Sequence, residues 1–197
     1  MKKIICTMLI FLMLIGMTSV AVADAIAEYG SWSVYQSKDE FDLPIKDQYY
    51  VACVAYGNFS NTATSKGDLA VVMSVNQEPW VTFVLVEYGK HAVSNSSSKD
   101  YRKFDILMMD SDGNRQQLMG FMKPKSNRVI ATTKGNYEPE TNKAILKALM
   151  AGEGTVRFSV TDRDDSRYKY VFVIEDIAGF CEACEKANIS LANVAGE

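Results

Sequence analysis

The sequence predicts an all-β fold, a mostly antiparallel β-sandwich that also carries two short helices. Downstream of Asp24 the apolar residues recur mainly with a period of two, the spacing at which side chains share one face of a strand. β-Branched and aromatic residues, which favour strands, are frequent throughout this region. Clusters of turn-forming residues separate the apolar runs, and many short strands with such spacing are typical of a sandwich or a barrel. Of these two architectures, we expect the sandwich.

Nine segments carry the strand pattern, and turn signals separate them. Residues 58–67 are rich in Asn, Ser, Thr and Gly, residues 77–79 (Gln-Glu-Pro) interrupt the chain, and residues 110–114 (Asp-Ser-Asp-Gly-Asn) have the composition of a hairpin turn. The predicted strands are 32–35, 49–56, 69–75, 80–86, 104–110, 115–122, 128–132, 155–161 and 168–174.

The first predicted helix precedes the last hairpin, over residues 139–151. Ile145, Ala148 and Leu149 recur there at helical spacing. A proline opens the segment and Gly152 follows it, as is common at the start and the end of a helix.

The second predicted helix is C-terminal and covers about residues 176–187. Ile177, Phe180, Cys181 and Cys184 fall at i, i+3, i+4 and i+7, which places them on one apolar face. We therefore expect both cysteines to face the body of the protein.

Residues 1–23 have the organisation of a cleaved signal peptide. Lys2 and Lys3 precede an apolar run over residues 4–20, and small residues at 21 and 23 precede Asp24. We expect cleavage after Ala23 and a periplasmic or secreted product. The alternative is a retained anchor, because the run is near the lower length limit for spanning a bilayer.

The remaining residues, 24–197, are expected to form a single β-sandwich domain. A chain of this length can bury a core large enough to fold without obligatory cross-links. Removal of the leader takes away two lysines and no acid, so the formal net charge changes from −3 to −5. An acidic chain without a basic cluster is a poor candidate for nucleic-acid binding. No second apolar stretch has spanning length, so we expect no stable membrane insertion after cleavage.

Three cysteines follow the leader: Cys53, Cys181 and Cys184. An oxidising compartment favours disulfides, so we expect a bond from Cys53 to Cys181 or Cys184 that staples the terminal helix to the sheet. A bond between Cys181 and Cys184 is the second possibility. The third is a redox function, because Cys-x-x-Cys is the spacing of thioredoxin-type motifs, although those motifs open a helix after a strand.

Other candidate metal ligands are scattered. His91 could complete a zinc site only if the fold brought it to the three cysteines; otherwise it is an exposed histidine. Two acidic turns, 110–114 and 162–166, have some residue types in common with calcium-binding loops, but their sequences fit hairpin turns better. Four methionines near the first of these turns could be soft copper ligands or core residues. They are Met108, Met109, Met119 and Met122. We expect core packing and no metal site.

The sequence contains no recognisable catalytic or cofactor motif. It has no Gly-x-Ser-x-Gly elbow, no phosphate-binding glycine loop and no His-Glu-x-x-His, and His91 is its single histidine. We therefore predict no catalytic residue and no cofactor.

Three short stretches resemble the invasion-associated locus B family of exported bacterial proteins. They are residues 30–34 (Gly-Ser-Trp-Ser-Val), the succession of helix, glycines and strand over 145–158, and the closing strand with a Gly-Phe-x-x-Ala helix over 171–183. The resemblance implies a non-enzymatic periplasmic or surface-associated β-sandwich, linked in some relatives to host-cell entry. The cysteines depart from the family pattern: Tyr35 and Gln36 stand where a cysteine often follows the Trp motif.

The function expected from the sequence is an exported binding or interaction module with a protein or cell-envelope partner. Aromatic residues dominate interface energetics, so the candidate anchors are Tyr49, Tyr50, Trp80 and Tyr137. The alternative is a thiol-disulfide redox protein that uses Cys181 and Cys184. A third possibility is an apolar ligand held between the two sheets.

Overall fold

The computed structural model describes residues 25–95, 100–132 and 142–195. The expected signal peptide, Tyr137 and the beginning of the first predicted helix lie outside these residues. All nine predicted strands are present, together with two short ones that the sequence pattern did not indicate, β1 and β6. The strands are β1 Ala27–Tyr29, β2 Trp32–Lys38, β3 Pro44–Ser60, β4 Gly67–Asn76, β5 Val81–Glu87, β6 His91–Ala92, β7 Arg102–Met109, β8 Arg115–Met122, β9 Arg128–Thr132, β10 Val156–Asp162 and β11 Lys169–Ile174.

Both predicted helices are present and shorter than expected. They are α1 Lys143–Leu149, before the last hairpin, and α2 Phe180–Lys186. A further short helix, α3 Ala192–Ala195, follows. Within the described residues, none of these helices has the length and apolar character needed to cross a membrane.

Eight of the strands form a closed antiparallel barrel, so the expectation of a two-layer sandwich was wrong. The cyclic order is β3, β11, β10, β7, β8, β9, β5 and β4, and β4 pairs again with β3. The seventeen-residue strand β3 closes the barrel because it pairs with β4 over Tyr50–Phe59 and with β11 over Tyr56–Ser60. Gly57 permits this approach, since a β-carbon there would collide with the carbonyl oxygen of Val171.

Side chains fill the barrel interior. Inward-facing residues of the eight barrel strands are buried, which is the expected content of an eight-stranded barrel. Three phenylalanines from β5, β10 and β11 contact one another at the centre: Phe83, Phe158 and Phe172 have ring centroids 5.1–5.5 Å apart. The interior is therefore a packed core rather than a ligand cavity.

The helices cover one end of the barrel. α1 connects β9 to β10 and buries Ile145, Leu146 and Leu149 in the common core. α2 follows β11 and packs against β1, β2 and β3. The ring of Phe180 lies 4.8 Å from the ring of Trp32, and both side chains are fully buried. The C-terminal helix is thus held to the strands by aromatic packing.

Candidate functional site

Cys53, Cys181 and Cys184 are free thiols, so the described part of the chain lacks the disulfide that we expected. Cys53 lies on the inward face of β3 and Cys184 on the buried face of α2. The buried stripe of this helix begins at Phe180 rather than Ile177, which precedes the helix. Cys181 therefore lies beside the stripe and is exposed, contrary to our prediction.

All three thiols have raised pKa values. Burial raises the pKa of Cys53, and burial together with the neighbouring Cys181 raises the pKa of Cys184 to about 12. Partial burial and the charge of Glu182 raise the pKa of Cys181. Redox-active cysteines need the opposite shift, because the thiolate is the nucleophile. The electrostatics of α2 therefore oppose the redox alternative.

We predict that iodoacetamide at pH 8 labels Cys181 first in the folded protein, and that Cys53 and Cys184 react only after denaturation. Cys181 is exposed, whereas the other two are buried and have a smaller thiolate fraction at this pH. Peptide mass mapping of labelled native and urea-treated samples measures the order. Fast labelling of Cys184 in the folded state would contradict the described packing of α2.

The structure does not bring together the metal ligands that the sequence raised. His91 is exposed on the edge strand β6, away from the buried cysteines. Met108 and Met122 point into the core, whereas Met119 lies on the outer face beside Arg163. In the part of the chain that the structure describes, no three His, Cys, Asp or Glu side chains are grouped as a metal site would require.

Both acidic turns connect neighbouring strands. Asp110 accepts hydrogen bonds from the backbone N–H groups of Asp112 and Asn114, and from the side-chain amide of Asn114, which lowers the pKa of Asp110. Asp162 accepts the N–H of Asp164 and pairs with Arg102 at 2.6 Å. These hydrogen bonds and the ion pair hold the turns in place, and their carboxylates already have partners.

A groove of about 1000 Å³ crosses the outer face of the barrel and is the strongest candidate for a functional site. We call it the outer groove. Its lining combines aromatic side chains, hydroxyl and amide groups, and charges of both signs. The lining residues are Gln36, Ser37, Lys38, Asp39, Asp42, Tyr50, Ser74, Asn76, Glu78, Trp80, Thr82, Tyr101, Phe121, Lys123, Arg128 and Ile130.

Strand register explains where the floor of the outer groove lies. One row of outward-facing residues runs across five neighbouring strands, from β3 through β4, β5 and β9 to β8. The row is Ala52, Ser74, Thr82, Ile130 and Phe121. Its first members are small, and the hydroxyls of Ser74 and Thr82 hydrogen-bond to each other at 2.7 Å. Short side chains on β3, β4 and β5 thus leave a depression between larger neighbours.

Aromatic rings form the walls of the outer groove and are held in place by other groups. Tyr50 stacks on Tyr35 with ring centroids 5.2 Å apart, and burial is the main cause that raises the pKa of Tyr50. Tyr101 contacts Phe121 edge to face at 5.6 Å. The backbone N–H of Trp80 donates to the side-chain oxygen of Asn76 at 2.9 Å. The rings of Tyr50 and Tyr101 are therefore positioned before any ligand arrives.

The turn between β2 and β3, residues 39–43, forms a rim beside the groove, which we call the hairpin tip. The carboxylate of Asp39 accepts the backbone N–H groups of Phe41 and Leu43, each at 2.9 Å, and Asp42 adopts a left-handed conformation with φ +62°. The tip holds Phe41 75% exposed and Leu43 60% exposed. Two large apolar side chains thus face water next to the groove.

The structure separates the aromatic anchors predicted from the sequence. Tyr50 and Trp80 line the outer groove. Tyr49 points to the other face of β3, toward a depression beside α2 that also includes Tyr29 and Glu182. Tyr137 lies outside the described residues.

The sequence analysis missed Tyr101, Phe121, Arg128 and the hairpin tip. The signal that could have revealed the tip is an apolar pair, Phe41 and Leu43, among the charged residues of a turn.

Comparison with known proteins finds no matching family model, no matching curated protein and no matching solved structure. The class that the geometry defines is a small antiparallel β-barrel with a packed interior and an open groove on its outer face. The outer groove and its charges are the features of this barrel that bear on function.

Proposed function

We propose that this protein is a non-enzymatic, exported binding module that holds a protein or cell-envelope partner in its outer groove. The observation that carries the proposal is the set of fixed aromatic walls around a floor of short side chains, outside a barrel whose interior is full. Pre-positioned aromatic rings lose little conformational entropy on binding, so they are effective anchors.

Two further features support this function. The hairpin tip exposes Phe41 and Leu43 next to the groove, and exposed apolar side chains that are clustered and rigidly held mark interaction surfaces. The leader over residues 1–23 supports export, which would bring the groove into contact with envelope or extracellular partners. A role in host-cell entry belongs to the same proposal and rests on the resemblance to the invasion-associated locus B family.

A photo-crosslinking amino acid at Tyr101 tests the proposal in the cells that export the protein. Tyr101 is half-exposed on the groove wall, and Tyr88 is equally exposed but does not line the groove, so it serves as the matched control. We expect a discrete partner adduct from position 101, none from position 88, and loss of the adduct when Ser74→Tyr fills the floor. Equal adducts from both positions, or an adduct that survives Ser74→Tyr, would argue against the groove.

Truncation of a wall residue should also weaken binding measurably. We expect Trp80→Ala to reduce affinity for the crosslinked partner by about tenfold or more, since interface tryptophans often contribute more than 1 kcal/mol. Tyr88→Ala is the control and should leave affinity unchanged. Isothermal titration of the purified pair measures both values, and an unchanged affinity for Trp80→Ala would place the partner elsewhere.

A further inference from the structure

The charges of the outer groove are separated along its length. At one end lie Arg128, at the start of β9, and Lys123, directly after β8. Met122 is paired with Val129, so the next positions outward, Lys123 and Arg128, are neighbours across the two strands. Among the described residues neither side chain forms an ion pair. Neighbouring like charges on a ladder are unfavourable, so an anionic group at this end would relieve their repulsion.

The positive end adjoins the aromatic wall. Burial raises the pKa of Tyr50, and the positive charge of Arg128 acts in the opposite direction and lowers it. The guanidinium of Arg128 therefore lies within electrostatic range of the Tyr50 hydroxyl. Phe121 lies two residues before Lys123 on β8 and forms part of the floor. A ligand that places an anion at Arg128 therefore also meets aromatic surface.

An acidic residue lies at the opposite end. Glu78 follows Asn76, the last residue of β4, and lines the groove there. The hairpin tip adds Asp39 and Asp42 to the lining of the groove, together with Lys38. Asp39 already accepts two backbone N–H groups, whereas Asp42 and Glu78 form no ion pair with any described residue. This end is suited to a cationic group on a ligand.

The distance between the two ends can be read from the strand register. Arg128 pairs with Val84, which pairs with Val72, so Arg128 lies level with Val72 of β4. Asn76 lines the other end four residues further along β4, which is about 14 Å along the strands. β4 also lies two strand spacings, about 10 Å, from β9, so the two backbone positions are about 17 Å apart. An extended chain of about five residues spans that distance.

We propose that the outer groove takes an extended peptide segment of a protein partner, with an acidic side chain at Arg128 and Lys123 and a basic side chain at Glu78. This inference rests on the proposed function and specifies its ligand. An anionic lipid headgroup would complement only the positive end, whereas a peptide matches both ends and places a side chain on the aromatic floor. The exposed Phe41 and Leu43 extend the contact to a partner's surface beyond the segment.

Selection from a phage-displayed library of random eight-residue peptides tests the inference. The targets are the unsubstituted mature protein, an Arg128→Glu/Lys123→Glu variant, and variants with a filled floor, Ser74→Tyr and Thr82→Tyr. We expect the unsubstituted protein to enrich peptides with an acidic and a basic residue about five positions apart. The charge-reversed variant should lose the acidic preference and bind those peptides about tenfold more weakly or worse. Both filled variants should fail to enrich them.

Titration of each recovered peptide, followed by tryptophan fluorescence, gives its affinity. The other tryptophan, Trp32, is buried away from the groove, so a change in fluorescence reports on Trp80. Circular dichroism and thermal midpoints verify that the variants fold. The inference would be overturned if the recovered peptides require an open floor but share no acidic residue. It would also be overturned if they bind the charge-reversed variant as tightly as the unsubstituted protein. In both cases the groove would still be a binding site.

Two other results would also overturn the inference. In the first, no peptide is enriched, but the protein binds vesicles of phosphatidylglycerol and phosphatidylethanolamine, and Ser74→Tyr abolishes this vesicle binding. That result would assign the groove to lipid. The second is no enriched peptide, no vesicle binding and no adduct from position 101, in which case the proposed function fails as well.

Discussion

Replacement of Phe158 by alanine is expected to lower the free energy of unfolding by about 3–5 kcal/mol. Phe158 is fully buried and contacts Phe83 at 5.3 Å and Phe172 at 5.1 Å, so its loss removes the middle of an aromatic cluster. A closed ring of hydrogen-bonded strands cannot collapse easily around the cavity, which places the effect high in the usual range. Urea denaturation followed by circular dichroism measures the change.

Leu107→Ala is the matched control for this experiment. Leu107 pairs with Ser159, the neighbour of Phe158 on β10, but lies on the outer face and is 43% exposed. We expect its truncation to change stability by less than about 1 kcal/mol, as is usual for surface positions. A similarly small effect of Phe158→Ala would mean that the barrel interior is loosely packed. That result would revive the possibility of an apolar ligand inside the protein and weaken the assignment of binding to the outer groove.

The positions of the strands could be predicted from the sequence because each depends on local alternation. The closure of the barrel could not be predicted in this way. A sandwich and a barrel both alternate buried and exposed residues along each strand. What distinguishes them here is the pairing of Tyr56 with Val173, more than a hundred residues apart in the sequence, at a point where Gly57 allows close approach. The residues around Tyr56 and Val173 in the sequence give no indication that these two positions pair.

The outer groove depends on register in the same way. Ser74 and Thr82 are ordinary strand residues in the sequence, and they become adjacent floor residues only when β4 and β5 align. The charge separation along the groove likewise requires Arg128 and Lys123 to meet across β8 and β9. Tyr50 and Trp80 were predicted as anchors because aromatic residues dominate interface energetics, whereas the side chains that complete the site come from distant strands.

Cys184 faces the body of the protein as predicted, whereas the predictions of a disulfide and of an inward-facing Cys181 failed for a different reason. Spacing can indicate which face of a helix a residue occupies, but the start of the buried stripe depends on where the helix begins. α2 begins at Phe180 after Gly179, which adopts a left-handed conformation with φ +81° that favours glycine. The ring of Phe180 then packs on Trp32, and this contact, rather than the disulfide that we expected, attaches the helix to the strands.

Phe180→Ala is therefore expected to undock the C-terminal helix and to cost about 3–5 kcal/mol of stability. Phe180 is 1% exposed and contacts the fully buried Trp32, so alanine leaves a cavity between α2 and β2. A seven-residue helix is not stable alone in water and depends on this packing. We expect iodoacetamide to label Cys184 in the folded variant, because α2 no longer shields its thiol.

Glu182→Ala lies on the exposed side of the same helix and is the matched control for the docking experiment. It should leave both stability and the protection of Cys184 unchanged. Peptide binding offers a second comparison: Tyr49, which faces α2, and Tyr50, which faces the outer groove, point to opposite sides of β3. Binding in the groove should therefore survive Phe180→Ala at temperatures where the barrel stays folded. If Cys184 stays protected and stability is unchanged, the helix is held by contacts other than the Phe180 ring.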